Sequence, residues 1–316
     1  MMKLRDWINI DKLNWDYLSG NPNAIDLLKE NPEKIDWFQL SGNSNAIELL
    51  KENPEKIDWY YLSVNPNAIE LLKENFDNIS WFQLSLNENA LELLKENLDN
   101  INWDNLSANP NAIELLKDNP GNINWDNLSA NPNAIELLKE NQEKINWSEL
   151  SINPNAINII KENLDKIDWF NLSVNSRAID ILKTYPENID WNILSGNENA
   201  FELLKQHPHK INWCILSNNK NEKVIELLKE NREKINWNML STNPNAIDIL
   251  KKNVDRINWN LLSSNSSIFT YDYEKMRNSN IDLKEEIIAA ALNPKRIFRL
   301  IAEYGEDIIY DIYLDD

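Results

Sequence analysis

The sequence predicts an all-α chain, an α-solenoid of about twelve 22-residue two-helix repeats with a cap at each end. Three observations carry this expectation. Tryptophan keeps a period: Trp15, Trp37, Trp59, Trp81, Trp103, Trp125, Trp147, Trp169, Trp191 and Trp213 fall 22 residues apart, Trp237 follows after 24 and Trp259 after 22 again. The same helix-start and helix-stop residues recur in every period, and the apolar residues between them fall on one helical stripe. A unit this short cannot bury its own apolar face, so neighbours must stack to make a core.

Asp58 to Asn75 shows one full period. Asp58 is an N-cap, and every copy keeps Asp, Asn or Ser there. Ile57 before the cap and Leu62 four positions into the helix are spaced as a hydrophobic staple, so Trp59 opens a helix of little more than one turn. Asn65 caps a second helix and Pro66 fits its first position, where a missing N–H costs nothing. Ala68, Ile69, Leu71 and Leu72 form the apolar stripe of that helix, while Glu70, Lys73 and Glu74 face water. Asn75 ends it, and proline follows that asparagine at Asn31-Pro32, Asn53-Pro54 and Asn119-Pro120.

Residues 1–8 read as an N-terminal cap, because Trp7 lies outside the tryptophan period. The repeats occupy 9–265. The 24-residue step is expected to be absorbed by a loop two residues longer at Asn218-Asn219-Lys220-Asn221-Glu222-Lys223. Past Asn265 the pattern stops: Phe269 stands in for the isoleucine, but Asp272 falls on a leucine position. Residues 266–304 then read as a C-terminal helical cap, with one helix from Leu283 to Leu292 and another from Asn293-Pro294 to about Tyr304, stopped by Gly305. Residues 305–316 form an acidic and apolar tail. Twelve units stacked about 8–10 Å apart would give an elongated superhelix on the order of 100 Å along its contour.

The unit Trp-x-x-Leu-Ser-x-Asn-Pro-Asn-Ala-Ile-Glu-Leu-Leu-Lys-Glu-Asn, closed by Ile268-Phe269-Thr270-Tyr271-Asp272-Tyr273 and Asn293-Pro294-Lys295-Arg296-Ile297, resembles the short helical-repeat proteins encoded in many copies by giant DNA viruses of protists. The resemblance covers about residues 9–300. It implies an α-solenoid and an infected-cell setting, and no known activity. The alternation of Leu-Ser-x-Asn-Pro with a second helix is also similar, more weakly, to leucine-rich-variant repeats, in which one unit of the pair is 3₁₀; this leaves Trp59 to Val64 open between α and 3₁₀.

Composition narrows the function. A net charge of −19 argues against nucleic acid, whose phosphates require a basic stripe. No run approaches the ~20 apolar residues of a membrane helix, and the first residues have no apolar signal-peptide core. Cys214 is the one cysteine, so no disulfide framework exists. An intracellular protein without a cofactor, acting as a monomer unless it self-assembles, is the expectation. Catalysis finds little support: Cys214, His207 and His209 are the one nucleophile-and-base or metal-like group, and no third orienting residue or full ligand set accompanies them. No Gly-rich phosphate loop is present.

Comparison of the repeats with one another separates stacking from recognition. Trp, Leu, Ser, Asn, Ala, Ile, Leu, Leu and Lys stay constant, and the tryptophans are expected in the core, where Trp103→Ala would cost ~3–5 kcal/mol. The Ser63 and Asn65 rows are expected to bond backbone. The two positions after each tryptophan and the one after each Leu-Ser vary. They place Phe38, Tyr60 and Phe82 in successive repeats, with Gln39, Tyr61 and Gln83 beside them, then Asp104 and Asp126 with Asn105 and Asn127, and later an aliphatic row. Such a face suits a protein or peptide partner, unless the rings fold back onto the neighbouring helix. A second candidate is the acidic surface of Glu48, Glu52, Glu70, Glu74, Glu92 and Glu96, interleaved with Lys51, Lys73 and Lys95, which either is a solvated face or docks a basic protein. A structural or self-assembling role, in a virion or filament, is the alternative.

Overall fold

The computed structural model describes residues 1–279 and 294–305. Among the described residues the chain is all-α apart from a two-stranded sheet, and twelve short Trp-led helices alternate with second helices led by Ile, Leu or Phe and, in one repeat, by Glu222. In the archetypal repeat the first helix is Trp59–Val64 and the second Ile69–Glu74. The first is α, with Asp58 Oδ1 accepting from Tyr61 N at 3.0 Å as an N-cap should. The 3₁₀ geometry lies instead in the turn between repeats, as at Pro54–Lys56 and Phe76–Asn78.

The second helix starts later than its sequence suggests. Asn65 does not cap it; its Oδ1 accepts from Asn67 N at 3.1 Å in a local turn, and the helix begins at Ile69 after Ala68, which offers no side-chain cap. Asparagine two residues ahead of a backbone N–H favours this turn, and the proline at 66 is compatible with it. The two extra residues near Asn218 also do not make a longer loop. They lengthen the second helix to nine residues, Glu222–Glu230, capped by Asn221. Lys223 on its first turn then reaches Glu202 of the preceding repeat at 2.9 Å, and that hydrogen bond, with the lysine's charge, holds the Glu202 carboxyl below its usual range.

The core is built from the small and aliphatic rows. Leu62, Ser63, Ala68 and Leu72 are fully buried, Asn65 nearly so, and Ile57 and Leu71 close the edges. The tryptophans are not among them: each is half-buried, which corrects their assignment to the core. An indole at the first helical position projects beside the stack rather than into it, and in eight of the twelve copies its outer face is covered by a cation from the next repeat's turn. Lys34 Nζ lies 4.5 Å from the Trp15 ring centre, Lys56 4.6 Å from Trp37, Lys144 4.5 Å from Trp125 and Arg256 Cζ 5.2 Å from Trp237.

Buried polar groups stitch one repeat to the next. Ser63 Oγ donates to Trp59 O at 2.7 Å in its own helix and accepts from Ser80 N of the next repeat at 2.9 Å. Asn65 Nδ2 donates to Ser41 O and Asn43 O of the previous repeat, both at 3.1 Å. Asn67 Nδ2 adds a bond to Ser44 O at 2.9 Å. The same set recurs along the array, and no buried side-chain nitrogen or oxygen among the described residues lacks a partner.

That set also joins the last repeat to the first. Asn14 N donates to Ser263 Oγ at 2.8 Å, Asn21 Nδ2 to Ser263 O at 3.0 Å and Asn23 Nδ2 to Ser266 O at 3.0 Å. Lys12 sits over Trp259 at 5.2 Å, as Lys34 sits over Trp15. The repeat array, within the compact unit Leu4–Phe269, is therefore a closed ring and not the elongated superhelix expected. Residues 1–8 do not shield a free end: Arg5 reaches across the seam, its N donating to Ile268 O at 2.9 Å and its Nε to Ser267 O at 2.7 Å. At the far side of the seam the twelfth repeat lacks a second helix. Ile268 fills the alanine position and Phe269, also buried, starts a strand.

Closure fixes which layer is inner. Successive Trp-led helices pack directly on one another over most of the ring, whereas successive second helices do not. In a closed ring the layer with the smaller spacing is the inner circumference, so the Trp-led helices line the lumen and the second helices form the outer rim. Twelve helices about 8 Å apart set a circle whose clear lumen, after subtracting a helix diameter of 10–12 Å, is about 20 Å across.

A second compact unit comprises, among the described residues, Met1–Lys3, 270–279 and 294–305. Strand Met2–Leu4 pairs with strand Phe269–Tyr271, helix Tyr273–Ser279 follows, and helix Pro294–Tyr304 ends at Gly305 with a φ of 94° that suits glycine, as the sequence suggests. The helix expected from Leu283 to Leu292 and the tail after Gly305 lie outside the described residues.

Two outcomes test this architecture. Ser263→Ala at the seam should lower stability in urea by about 1–3 kcal/mol, as much as Ser129→Ala at an internal junction, because both strand a buried N–H of the neighbouring repeat. An open array would show almost no cost at position 263. Leu106→Ala should cost about 2–5 kcal/mol, and Trp103→Ala less than that, since the indole is half-exposed.

Candidate functional site

The variable positions converge on the lumen. The first and second residues after each tryptophan, and the one after Leu-Ser, lie on the helix face opposite the buried leucine, so ring closure turns three sequence rows toward one enclosed space. Phe38, Tyr60 and Phe82 occupy the first row and are 44, 45 and 50% exposed. Phe38 does fold onto the neighbouring helix, yet all three rings keep much of their surface exposed. The Phe38 ring packs on Tyr61 of the next repeat, 4.0 Å between centres, and Tyr60 meets Tyr61 edge-on at 5.4 Å. Tyr61 is thus the half-buried support of an exposed aromatic arc.

Beyond Phe82 the arc becomes acidic. Asp104 and Asp126 hold the first-row positions in the next two repeats, exposed but oriented: Asp104 Oδ1 accepts from Asn124 Nδ2 at 2.8 Å and Asp126 Oδ1 from Asn146 Nδ2 at 2.9 Å. Their amide neighbours serve stacking. Asn105 Nδ2 donates to Phe82 O at 2.8 Å and Asn127 Nδ2 to Asp104 O at 2.8 Å, which removes those asparagines from the recognition face. Gln39 is exposed and Gln83 half-buried in the same row. Sequence reasoning passed over Tyr17 and Phe170, 46 and 53% exposed in these rows, and the carboxylates of Asp16 and Glu149. Their register after Trp15, Trp147 and Trp169 was the available signal.

The acidic residues of the second helices lie on the outer rim. Glu48, Glu70 and Glu92 each pair with the lysine three residues on, at 3.0, 2.9 and 2.8 Å. The bond from Lys73 to Glu70, and then the glutamate's charge, raise the lysine's pKa above its ordinary value. Glu52, Glu74 and Glu96 are exposed on the same helices. This surface alternates in sign and is open to water, where such pairs contribute little.

The histidines and cysteine do not assemble a site. His207 Nδ1 lies 3.1 Å from Leu203 O, in the place of the asparagine that closes most second helices, and its ring rests 4.7 Å from Trp191. His209 is 6.4 Å from His207, centre to centre. Cys214 is an exposed first-row residue whose Sγ accepts from Asn236 Nδ2 at 3.1 Å. No group of three or more His, Cys, Asp or Glu that could hold a metal occurs among the described residues, and none of the described helices is long and apolar enough to cross a membrane.

No family model, curated protein or solved structure matches the chain. The geometry alone describes the site: a lumen lined for part of its circumference by exposed aromatic rings and then by fixed carboxylates. Cys214 reports on that lining. It should react with about one equivalent of N-ethylmaleimide in the native protein without denaturant, and a thiol that reacts only after unfolding would place the row in the packed interior.

Proposed function

We propose that this protein is a non-catalytic scaffold that binds a protein or peptide in the lumen of its repeat ring. The observation that carries the reading is the exposure of Phe38, Tyr60 and Phe82 at a position outside the buried rows. The buried Leu, Ser, Asn and Ala rows already satisfy packing and hydrogen bonding between repeats, so aromatic rings held half-bare beside them are surface available to a partner. The resemblance to repeat proteins of giant DNA viruses sets the partner among proteins of an infected cell. Filament growth through the repeat ends is disfavoured, because the first and last repeats cover each other across the seam.

A selection from a displayed peptide library tests the reading. The parent protein should enrich a consensus, and a Phe38→Ser/Tyr60→Ser/Phe82→Ser variant with unchanged circular dichroism should lose those peptides by at least about tenfold in affinity. Equal capture by the folded variant, or no enrichment by the parent, overturns it.

A further inference from the structure

We infer that the segment held in the lumen is a basic one, a Lys- or Arg-bearing stretch of another protein; this rests on the reading of the lumen as a polypeptide site. The three lumen rows comprise three positions in each of twelve repeats. They carry Asp16, Asp104, Asp126 and Glu149, and neither lysine nor arginine, although the chain has 32 of these residues. The outer rim differs, since its glutamates alternate with lysines that neutralise them at 2.8–3.0 Å. Cations of the 3₁₀ turns are held over the tryptophan rings instead, as Lys56 is over Trp37 and Lys144 over Trp125. The lumen therefore keeps uncompensated negative charge in a partly enclosed space, where it is screened less than on an open surface.

The order of the lining residues adds a second argument. Phe38, Tyr60 and Phe82 are exposed aromatic residues, and the next two repeats present Asp104 and Asp126. Ring faces attract ammonium and guanidinium groups, and carboxylates bind the same groups by charge-assisted hydrogen bonds. An aliphatic segment would satisfy the rings and leave Asp104 and Asp126 facing it; an acidic one would be repelled. Lysine and arginine suit both halves, because their stems pack on rings while their heads reach carboxylates. A lumen of about 20 Å admits one helix or one extended strand and has no room for a folded domain.

Fluorescence anisotropy with a labelled Lys-Ala repeat peptide, against a Glu-Ala peptide of equal length, tests this at about 0.15 M salt. The Lys-Ala peptide should bind in preference. Asp104→Asn/Asp126→Asn/Glu149→Gln should weaken it at least about tenfold, whereas Glu70→Gln/Glu92→Gln/Glu114→Gln, which removes the same charge from the outer rim, should change it less than about threefold. The asparagines keep an acceptor for Asn124 and Asn146, so folding should survive. If the lumen variant nevertheless loses its circular dichroism, a 5-kDa polyethylene glycol maleimide on Cys214 of the parent replaces it: the plugged ring should no longer bind the Lys-Ala peptide. Equal weakening by both triple variants, unchanged binding by the plugged ring, or no preference over Glu-Ala overturns the inference. The library selection separates the two failures, since a consensus without basic residues leaves the lumen a peptide site and removes only its charge preference.

Discussion

The hydrogen bonds made by one buried asparagine and one buried serine per repeat hold the rest of the molecule in place. Asn65 is nearly inaccessible and uses Nδ2 on two carbonyls of the preceding repeat and Oδ1 on its own turn. Ser63, fully buried, donates within its helix and accepts from the next N-cap. A buried amide or hydroxyl that misses its partner costs on the order of 1–3 kcal/mol, so these groups permit one register between neighbours. Leucine packing supplies the larger stabilisation, but it is non-directional and would tolerate a sliding or twisting stack. Direction comes from the polar rows.

Closure follows from that directionality. Each junction repeats the same bonds at nearly the same lengths, so each applies the same small rotation, and twelve such steps complete a circle at about 30° apiece. The short first helices sit close because the residue between them is small: the serine of each repeat is fully buried. At Gly196 the fit is closest, where a Cβ would stand 3.1 Å from Ile215 Cγ2. The outer helices carry Leu71 and Leu72 and are held further apart, and this difference between the layers curves the array.

The repeat, its period and the capping of the first helix were legible because each rests on local chemistry: an Asp or Asn before tryptophan, alternate leucines, a Ser and an Asn at fixed offsets. Ring closure was not legible. It depends on a rotation of a few tens of degrees per junction, and nothing in one 22-residue unit reports the sum over twelve. The tryptophans were misplaced because size was taken for burial. An indole at the first helical position lies at the edge of the stack, and the lysine three residues before the next tryptophan, a constant feature of many copies, was a sign that the ring had an outer face to cover. The second helix was started too early because Asn-Pro reads equally as a cap and as a turn, and the amide of Asn67 decides between them.

Closure also changes what a variable surface residue means. On an open solenoid, Phe38 and Asp104 would belong to a long face with many independent stretches. In the ring they lie on one wall of a single lumen, a few repeats apart and directed toward a shared axis, so a segment entering that space meets rings and carboxylates together. Repeats eight to twelve complete the same wall with Phe170, Ile193, Ile215 and Met239, which bring no charge. The lumen is therefore charged on one side and uncharged on the other, where these apolar side chains alternate with the amides of Asn192, Asn238 and Asn260. An occupant with its basic residues along one edge and uncharged residues along the other satisfies both sides at once.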